Sequence, residues 1–237
     1  SAASDVYKRQ DVQLRPEAAP EWLKPLVKAL QSGRFAAAAR DVLATRVRQK
    51  DGKDQAAVLI CFTGTTLEDA ALLLTHRTPT MRSHSGQMAF PGGHIDAADR
   101  GPVDAALREA HEETGLVREN VIPLALMEAA TTGGSNRRVR PVLAYAEHPN
   151  EVYPASPDET DDVFFLPLAE LTNPDNQELL KWHGWTGPAF WAGCYLVWGF
   201  TGVLTAVVLE LGGWSSIQGE PTGDLAAALE RSCNNEA

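Results

Sequence analysis

The sequence predicts one α+β or α/β domain, and three observations carry that expectation. Strand-like apolar runs and helix-like amphipathic stretches alternate along the chain instead of segregating into blocks. The 237 residues, 44% hydrophobic and 22% charged, have an ordinary soluble composition and enough material for one substantial core. No internal repeat points to a solenoid or a propeller.

The elements follow in order. Residues 21–46 carry Trp22, Leu26, Leu30, Phe35 and Val42 at helical spacing, and Ser32-Gly33 divides the stretch into two helices. Strands at 56–62 and 70–75 flank a turn containing Gly64, the pattern of a β-hairpin. A short strand at 87–90 runs into Phe90-Pro91-Gly92-Gly93. Residues 102–114 are helical, with Pro102 suited to the first turn and Gly115 to the left-handed residue that ends it. Strands follow at 121–129, 139–145 and 163–166, then a short helical turn from Pro167 through Leu171. A strand at 195–198 precedes an apolar helix at 201–210 that ends at Gly212-Gly213. Residues 1–15 are expected to form an N-terminal tail outside the fold, its first ten a cloning or sequencing remnant. The domain itself is expected over 16–212, and 213–237 as a C-terminal tail with one small helix at 224–231.

A net charge of −10 excludes broad electrostatic binding to nucleic acid, which requires a basic footprint. It also means that an anionic substrate would need a bound cation or a local basic patch. Cys61, Cys194 and Cys233 show no CxxC or zinc spacing and are expected to be unpaired thiols in a reducing cytoplasm. Residues 188–209 carry no charge and are long enough to cross a bilayer. Their glycines, and the split into strand and helix, make a buried core segment the expectation instead.

The segment Arg108-Glu109-Ala110-His111-Glu112-Glu113-Thr114-Gly115-Leu116 carries the chemistry. At about 100° per residue, Glu109, Glu112 and Glu113 fall within an arc of roughly 100°. Val103, Leu107, Ala110 and Thr114 occupy the other side, so one stripe is buried while the carboxylates cluster. A solvated acidic face is the simpler reading of Glu-x-x-Glu-Glu alone. A hard divalent cation taking oxygen ligands is favoured by the preceding Phe-Pro-Gly-Gly loop, which suits close backbone approach by a ligand.

These residues resemble the Nudix hydrolase family. Arg108–Leu116 matches the second half of its signature, R-E-U-x-E-E-x-G-U, with Ala110 the weakest fit. The first half departs from it: Gly93 lies one residue too far upstream, and Arg100 stands where the signature has glutamate. Gly92-Gly93-His94-Ile95-Asp96, with Asp99 nearby, resembles the extended loop of the coenzyme A pyrophosphatase subfamily. Leu73-Leu74-Thr75-His76-Arg77-Thr78, Arg82, Gly86 and Phe90-Pro91-Gly92-Gly93 resemble that subfamily's upstream signature, with Thr78 as the one substitution. Asp158-Glu159 before 163–168, and Trp198-Gly199-Phe200-Thr201, are similar to its downstream segments. The resemblance covers about residues 22–211.

The resemblance implies an α/β/α sandwich with a mixed sheet between helices, and hydrolysis of a diphosphate linkage with Mg²⁺ or Mn²⁺. It implies Glu109 and Glu113 as direct metal ligands, Glu112 as a direct or water-mediated one, and the Gly93 carbonyl as a further donor. A helix carboxylate or Glu159 would accept the proton of the attacking water. Arg108 is expected to orient the glutamates more than to touch phosphate. Arg77 and Arg82, with Gly92 and Gly93, are expected to bind substrate, since arginine suits bidentate phosphate recognition. Arg137, Arg138 and Arg140 form a second basic cluster, equally readable as surface decoration. His84 and His111 are expected to be non-catalytic, and Trp182, Trp185, Trp191 and Trp198 to pack more than to stack on a base.

The expected substrate is coenzyme A or an acyl-coenzyme A, cut to 3′,5′-ADP and a 4′-phosphopantetheine. ADP-ribose, a dinucleoside polyphosphate or a nucleoside triphosphate is the alternative, and a non-catalytic nucleotide sensor is the second. The expected partner is a small nucleotide-like molecule, with no nucleic acid or membrane and with a homodimer left open. The expected location is the cytoplasm.

Overall fold

The computed structural model describes residues 11–43, 52–81, 84–132 and 137–236. Helices α1 (Lys24–Gln31) and α2 (Phe35–Leu43) open the fold, parted at Ser32-Gly33 where Gly33 takes a left-handed φ of 73°. Strands β1 (Ala56–Thr63) and β2 (Ala71–Arg77) follow, then the short β3 (Met88–Ala89) and β4 (Gly92–His94). Helix α3 (Pro102–Thr114) leads to β5 (Ile122–Leu126), β6 (Ala130–Thr131), β7 (Arg138–Tyr145) and β8 (Thr160–Pro167). After α4 (Leu168–Thr172) come β9 (Gln177–Trp182), β10 (Trp185–Ala192), β11 (Tyr195–Val197) and α5 (Gly199–Gly212). The chain closes with β12 (Gly223–Asp224) and α6 (Leu225–Arg231).

Among the described residues an eight-stranded sheet runs β3-β2-β1-β7-β5, with β8 beside β2, β6 beside β7 and β4 beside β1. Strands β1 and β7 are parallel, whereas β1 pairs antiparallel with β2 and β4, so the sheet is mixed. Period-two alternation explains its two covered faces. Ile60, Phe62, Leu72, Leu74, Leu143 and Tyr145 face one core with the residues of α1 and α5. Leu59, Cys61, Leu73, Val142 and Ala144 face the other, under α3. The expected α/β/α sandwich with a mixed sheet is the observed fold.

The charge-free run at 188–209 is part of this core. Val207, Val208 and Leu209 are buried on α5, and Phe190 on β10. Among the described residues no helix is long and apolar enough to cross a membrane. Strands β9 and β10, which form a four-stranded sheet with β11 and β12, were not foreseen. Polar Gln177, Glu178 and Lys181 and the interruptions Gly187 and Pro188 obscure their alternation.

Both ends of the chain differ from the tails expected of them. The first ten residues lie outside the described ones. Asp11, however, accepts the Val103 and Asp104 amides at 3.0 Å each and so caps α3 from ninety positions upstream. Gly101 has no room for a side chain there, since a Cβ would lie 2.5 Å from the Asp11 carboxyl. At the other end, Leu225 and Ala228 of α6 pack on Leu180, Ala189 and Leu196. Asn234 is fully buried, donating to the Leu196 carbonyl and accepting from the Leu196 amide.

The cysteine expectation is also corrected. Cys61 is free and buried, and its burial pushes the thiol up to about 12. Cys194 and Cys233 form a disulfide. The β10–β11 turn and the end of α6 meet, with the Cys233 amide donating to the Cys194 carbonyl at 2.9 Å. That proximity is tertiary and leaves no spacing motif to read.

Because a cap typically contributes about 1 kcal/mol, Asp11→Ala should lower Tm by about 2–4 °C, with Asp11→Asn recovering most of the loss. Thermal unfolding by circular dichroism checks this. An unchanged Tm in Asp11→Ala would remove the cap from the account of α3.

Candidate active site

The site begins where β1 is shared. Strand β2 pairs with β1 only at Phe62 and Thr63, and β4 takes the same edge lower down at 56–58. The chain between them brings Phe90-Pro91-Gly92-Gly93 against β1, with the Leu59 amide donating to the Pro91 carbonyl at 2.8 Å. Both glycines are dictated by close approach. A Cβ on Gly92 would lie 2.3 Å from the Ala57 carbonyl oxygen, and one on Gly93 would lie 2.5–2.6 Å from the Glu109 carboxyl.

Helix α3 lies against this loop. The Glu113 carboxylate is buried and accepts the Gly92 amide at 3.0 Å. Desolvation raises its pKa to about 8, outweighing the Gly92 hydrogen bond and Arg77, whose Nη1 lies 3.9 Å from Oε1. Glu109 is pushed up for the same reason, opposed by Arg108. Glu112 stands apart: its side chain is 53% exposed and paired with Arg108 at 3.0 Å.

Arg108 is the organiser of the helix face. Its Nε and Nη2 form a bidentate pair with Asp99 at 2.9 and 3.0 Å, and Nη2 also donates to the His94 carbonyl. Its Nη1 contacts Glu109 at 3.1 Å as well as Glu112. Arg108 also holds the Asp99 carboxyl below its usual range. Asp99, one residue before Arg100, is thus the acid paired with Arg108, while Arg100 itself pairs with Asp104.

Loop 151–159 completes the wall. Its Tyr153 and Ala155 amides donate to the Thr114 and Glu113 carbonyls at 3.0 Å each. Glu159 is thereby held at the mouth, with its carbonyl accepting the Thr78 amide. The register shift between His76 and Arg77 turns the end of β2 toward the same point. Arg77 Nε is buried and has no hydrogen-bond partner among the described residues.

These elements enclose a cavity of about 330 Å³. Glu109, Glu113 and Glu159 line it together with Gly92, Gly93 and Arg77. Arg108 and Glu112 do not line it. Arg82 lies outside the described residues. Of the second basic cluster only Arg137 reaches the cavity, while Arg138 and Arg140 pair with Asp54 at 2.9 and 2.7 Å.

The reading from sequence also passed over residues in the lining. His84, Gln87, Thr132, Val139 and Phe200 were given no site role, and none belongs to the glutamate motif. His111, by contrast, is turned to the Leu116 carbonyl at 3.0 Å. Trp191 and Trp198 donate to Glu178 and Glu236, and none of the four tryptophans lines the cavity.

Among the described residues no three His, Cys, Asp or Glu side chains converge closely enough to enclose a metal ion. The donors themselves suit a hard divalent cation. Glu109 and Glu113 are carboxylates held at the cavity with little water, and Arg77 is the cation nearest Glu113. A divalent ion would offset the charge that burial opposes.

A model of the NUDIX domain family matches residues 53–183, more than half of the chain. The chain belongs to the Nudix family of hydrolases, enzymes that cut phosphoanhydride bonds and in general need divalent metal ions. It is 36% identical over 166 residues to a protein of Klebsiella pneumoniae (strain 342) described as uncharacterized Nudix hydrolase NudL, covering 67% of this chain and 83% of that one. A NudL from Enterobacter sp. (strain 638) is also 36% identical, over 178 residues covering 73% and 86%. Among solved structures, the Nudix hydrolase RenU of M. smegmatis superposes with a TM-score of 0.42 and 26% identity, covering 53% of this chain and 78% of that one.

The two glycines predict different failures. Gly92→Ala meets backbone and should destabilise the fold by about 1–3 kcal/mol. Gly93→Ala meets only the movable end of Glu109, so it should keep the fold and lower kcat/KM about a hundredfold. Parallel Tm and kinetic measurements separate the two, and a fully active Gly93→Ala would disprove the coupling to Glu109.

Proposed function

We propose that this hydrolase is a Mg²⁺- or Mn²⁺-dependent pyrophosphatase of coenzyme A or its acyl derivatives. The observation that carries the reading is convergence. Arg77, Phe90, Gly92, Gly93, Glu159 and Thr201 come from four separated parts of the chain and line one cavity with Glu109 and Glu113. Each of these positions belongs to a segment resembling the coenzyme A pyrophosphatase subfamily.

When bound, the metal polarises the attacked phosphorus and lowers the pKa of the attacking water. Glu109 and Glu113 would hold it, joined by the Gly93 carbonyl, and Glu112 would contribute directly or through water. Arg108 keeps Glu109 in place instead of touching substrate. Glu159 or a helix carboxylate takes the proton of the water. The anhydride P–O bond then breaks, and 3′,5′-ADP and 4′-phosphopantetheine are the products. Arg77 lines the cavity, and its guanidinium is the group suited to a phosphate oxygen there. Arg82 is its proposed partner in substrate binding.

The deciding experiment is product analysis by mass spectrometry after incubation with Mg²⁺ and equimolar coenzyme A, ADP-ribose and diadenosine polyphosphate. Preferred release of 3′,5′-ADP supports the reading. Preferred cleavage of either competitor overturns the substrate while leaving the metal site. With coenzyme A, Glu113→Gln should lower kcat by about two to three orders of magnitude without unfolding the protein. Arg77→Ala should raise KM about tenfold with a smaller effect on kcat. Unchanged kinetics in either variant removes that residue from its role.

A further inference from the structure

Part of the cavity lining is seated on the C-terminal segment. His84 and Gln87, both lining the cavity, belong to one tight turn in which His84 has φ 55° and Gly86 φ 72°. That turn is seated directly on residues 233–236. A Cβ on Gly86 would lie 2.2 Å from the Asn234 carbonyl oxygen, so the two backbones are in contact. The same carbonyl is 3.0 Å from His76 Nε2, whose ring stacks on Tyr195. Glu236 accepts from Trp198 Nε1 at 2.7 Å, from the Asn234 side chain at 2.8 Å and from Gln87 Nε2 at 3.4 Å. The oxygen of the Gln87 amide is 3.0 Å from His84 Nδ1. A continuous chain of contacts therefore runs from Glu236 through Gln87 to His84, at the surface of the cavity.

The segment is tied down at one point by covalent chemistry. Cys233 is bonded to Cys194, and both residues are exposed. Asn234, the next residue, is fully buried and pairs with both backbone polar groups of Leu196 on β11. The bond thus holds the one stretch of the C-terminus that touches the active-site turn.

We propose that Asn234 and Glu236 are positioning residues for the substrate-binding wall, and that the Cys194–Cys233 disulfide makes substrate affinity depend on redox state. The proposal rests on the family's hydrolytic activity and on no particular substrate. On reduction, a dithiol transfers two electrons and two protons to the bridge, giving two cysteine thiols and an oxidised cyclic dithiol. The clip on residues 233–236 is then released. Gln87 and His84 lose their fixed orientation, while Glu109 and Glu113 stand on a different element and keep theirs. The effect falls on KM.

The test measures kcat and KM of the full chain before and after treatment with a dithiol, using whichever nucleotide diphosphate it cleaves fastest. Thiol labelling under native conditions should count two new groups, because buried Cys61 does not react. The expected result is a KM raised about fivefold, the worth of roughly one hydrogen bond, with kcat changed less than twofold. Cys194→Ala/Cys233→Ala should reproduce that KM and no longer respond to the dithiol. Independently of the disulfide, Glu236→Ala should raise KM and Glu236→Gln, which keeps one acceptor oxygen, should recover part of it. An unchanged KM once both thiols are labelled overturns the redox dependence. A fall in kcat proportional to the unfolded fraction, with KM constant, reduces the segment to a structural brace and overturns the positioning role. Failure of the coenzyme A assignment would appear in the products and leave this comparison intact.

Discussion

The site depends on one constraint of space: the chain at Gly92-Gly93 is pressed between β1 and α3 with no volume for a side chain on either residue. Close packing of backbone brings the Gly92 amide within 3.0 Å of Glu113 and Gly93 against Glu109. The position of both carboxylates is therefore set by a strand pairing, β4 on β1, and not by the helix alone. Antiparallel pairing fixes register to one residue, so the glycines cannot slide along the helix. This is why the short β4 matters more to the chemistry than its length suggests.

Burial is the second half of the same constraint. Glu113 is carried on the face of α3 that also packs Val103, Ala106 and Ala110, and its carboxylate is buried against the Gly92 amide. Such a group resists ionisation unless a positive charge joins it. Arg108 answers part of that demand for Glu109, and it can do so only because Asp99 grips its guanidinium from the other side. Glu112 occupies the remaining arm of Arg108 at the solvent edge. Arg108 thus sits between Glu109, which lines the cavity, and Glu112, which does not, while Glu113 is held by the Gly92 amide.

How much of this was legible in the sequence follows from the range of the interactions. The helix, its left-handed Gly115 end and the sheet strands obey local periodicity, and they were readable. The glutamates were readable because they lie four residues apart on one helix. Asp99 was noted near the loop, but its pairing with Arg108 was not readable, since a contact made from an irregular loop follows no period. The same holds for the Asp11 cap, the Cys194–Cys233 bond and the burial of Asn234. Each joins segments that only the tertiary fold brings together. The β9–β10 pair shows the converse, a regular element whose polar and Gly-Pro residues hide its alternation.

Charge gives the last link. A chain with a net charge of −10 must meet an anionic substrate, and the structure places its answer locally. Arg138 and Arg140 are both paired with Asp54, which makes them braces at the start of β7. Arg77 and Arg137 remain at the cavity that Glu109, Glu113 and Glu159 also line, with Arg77 Nη1 3.9 Å from the Glu113 carboxylate. The carboxylates alone would repel a diphosphate, and the arginines alone would bind one without activating water. Gathered at one cavity, they favour a substrate that arrives with a cation between it and the acids, because the cation offsets the negative potential there. The general need of Nudix hydrolases for a divalent metal fits this distribution of charge, because a cation at the carboxylates offsets the repulsion between an acidic chain and an anionic substrate.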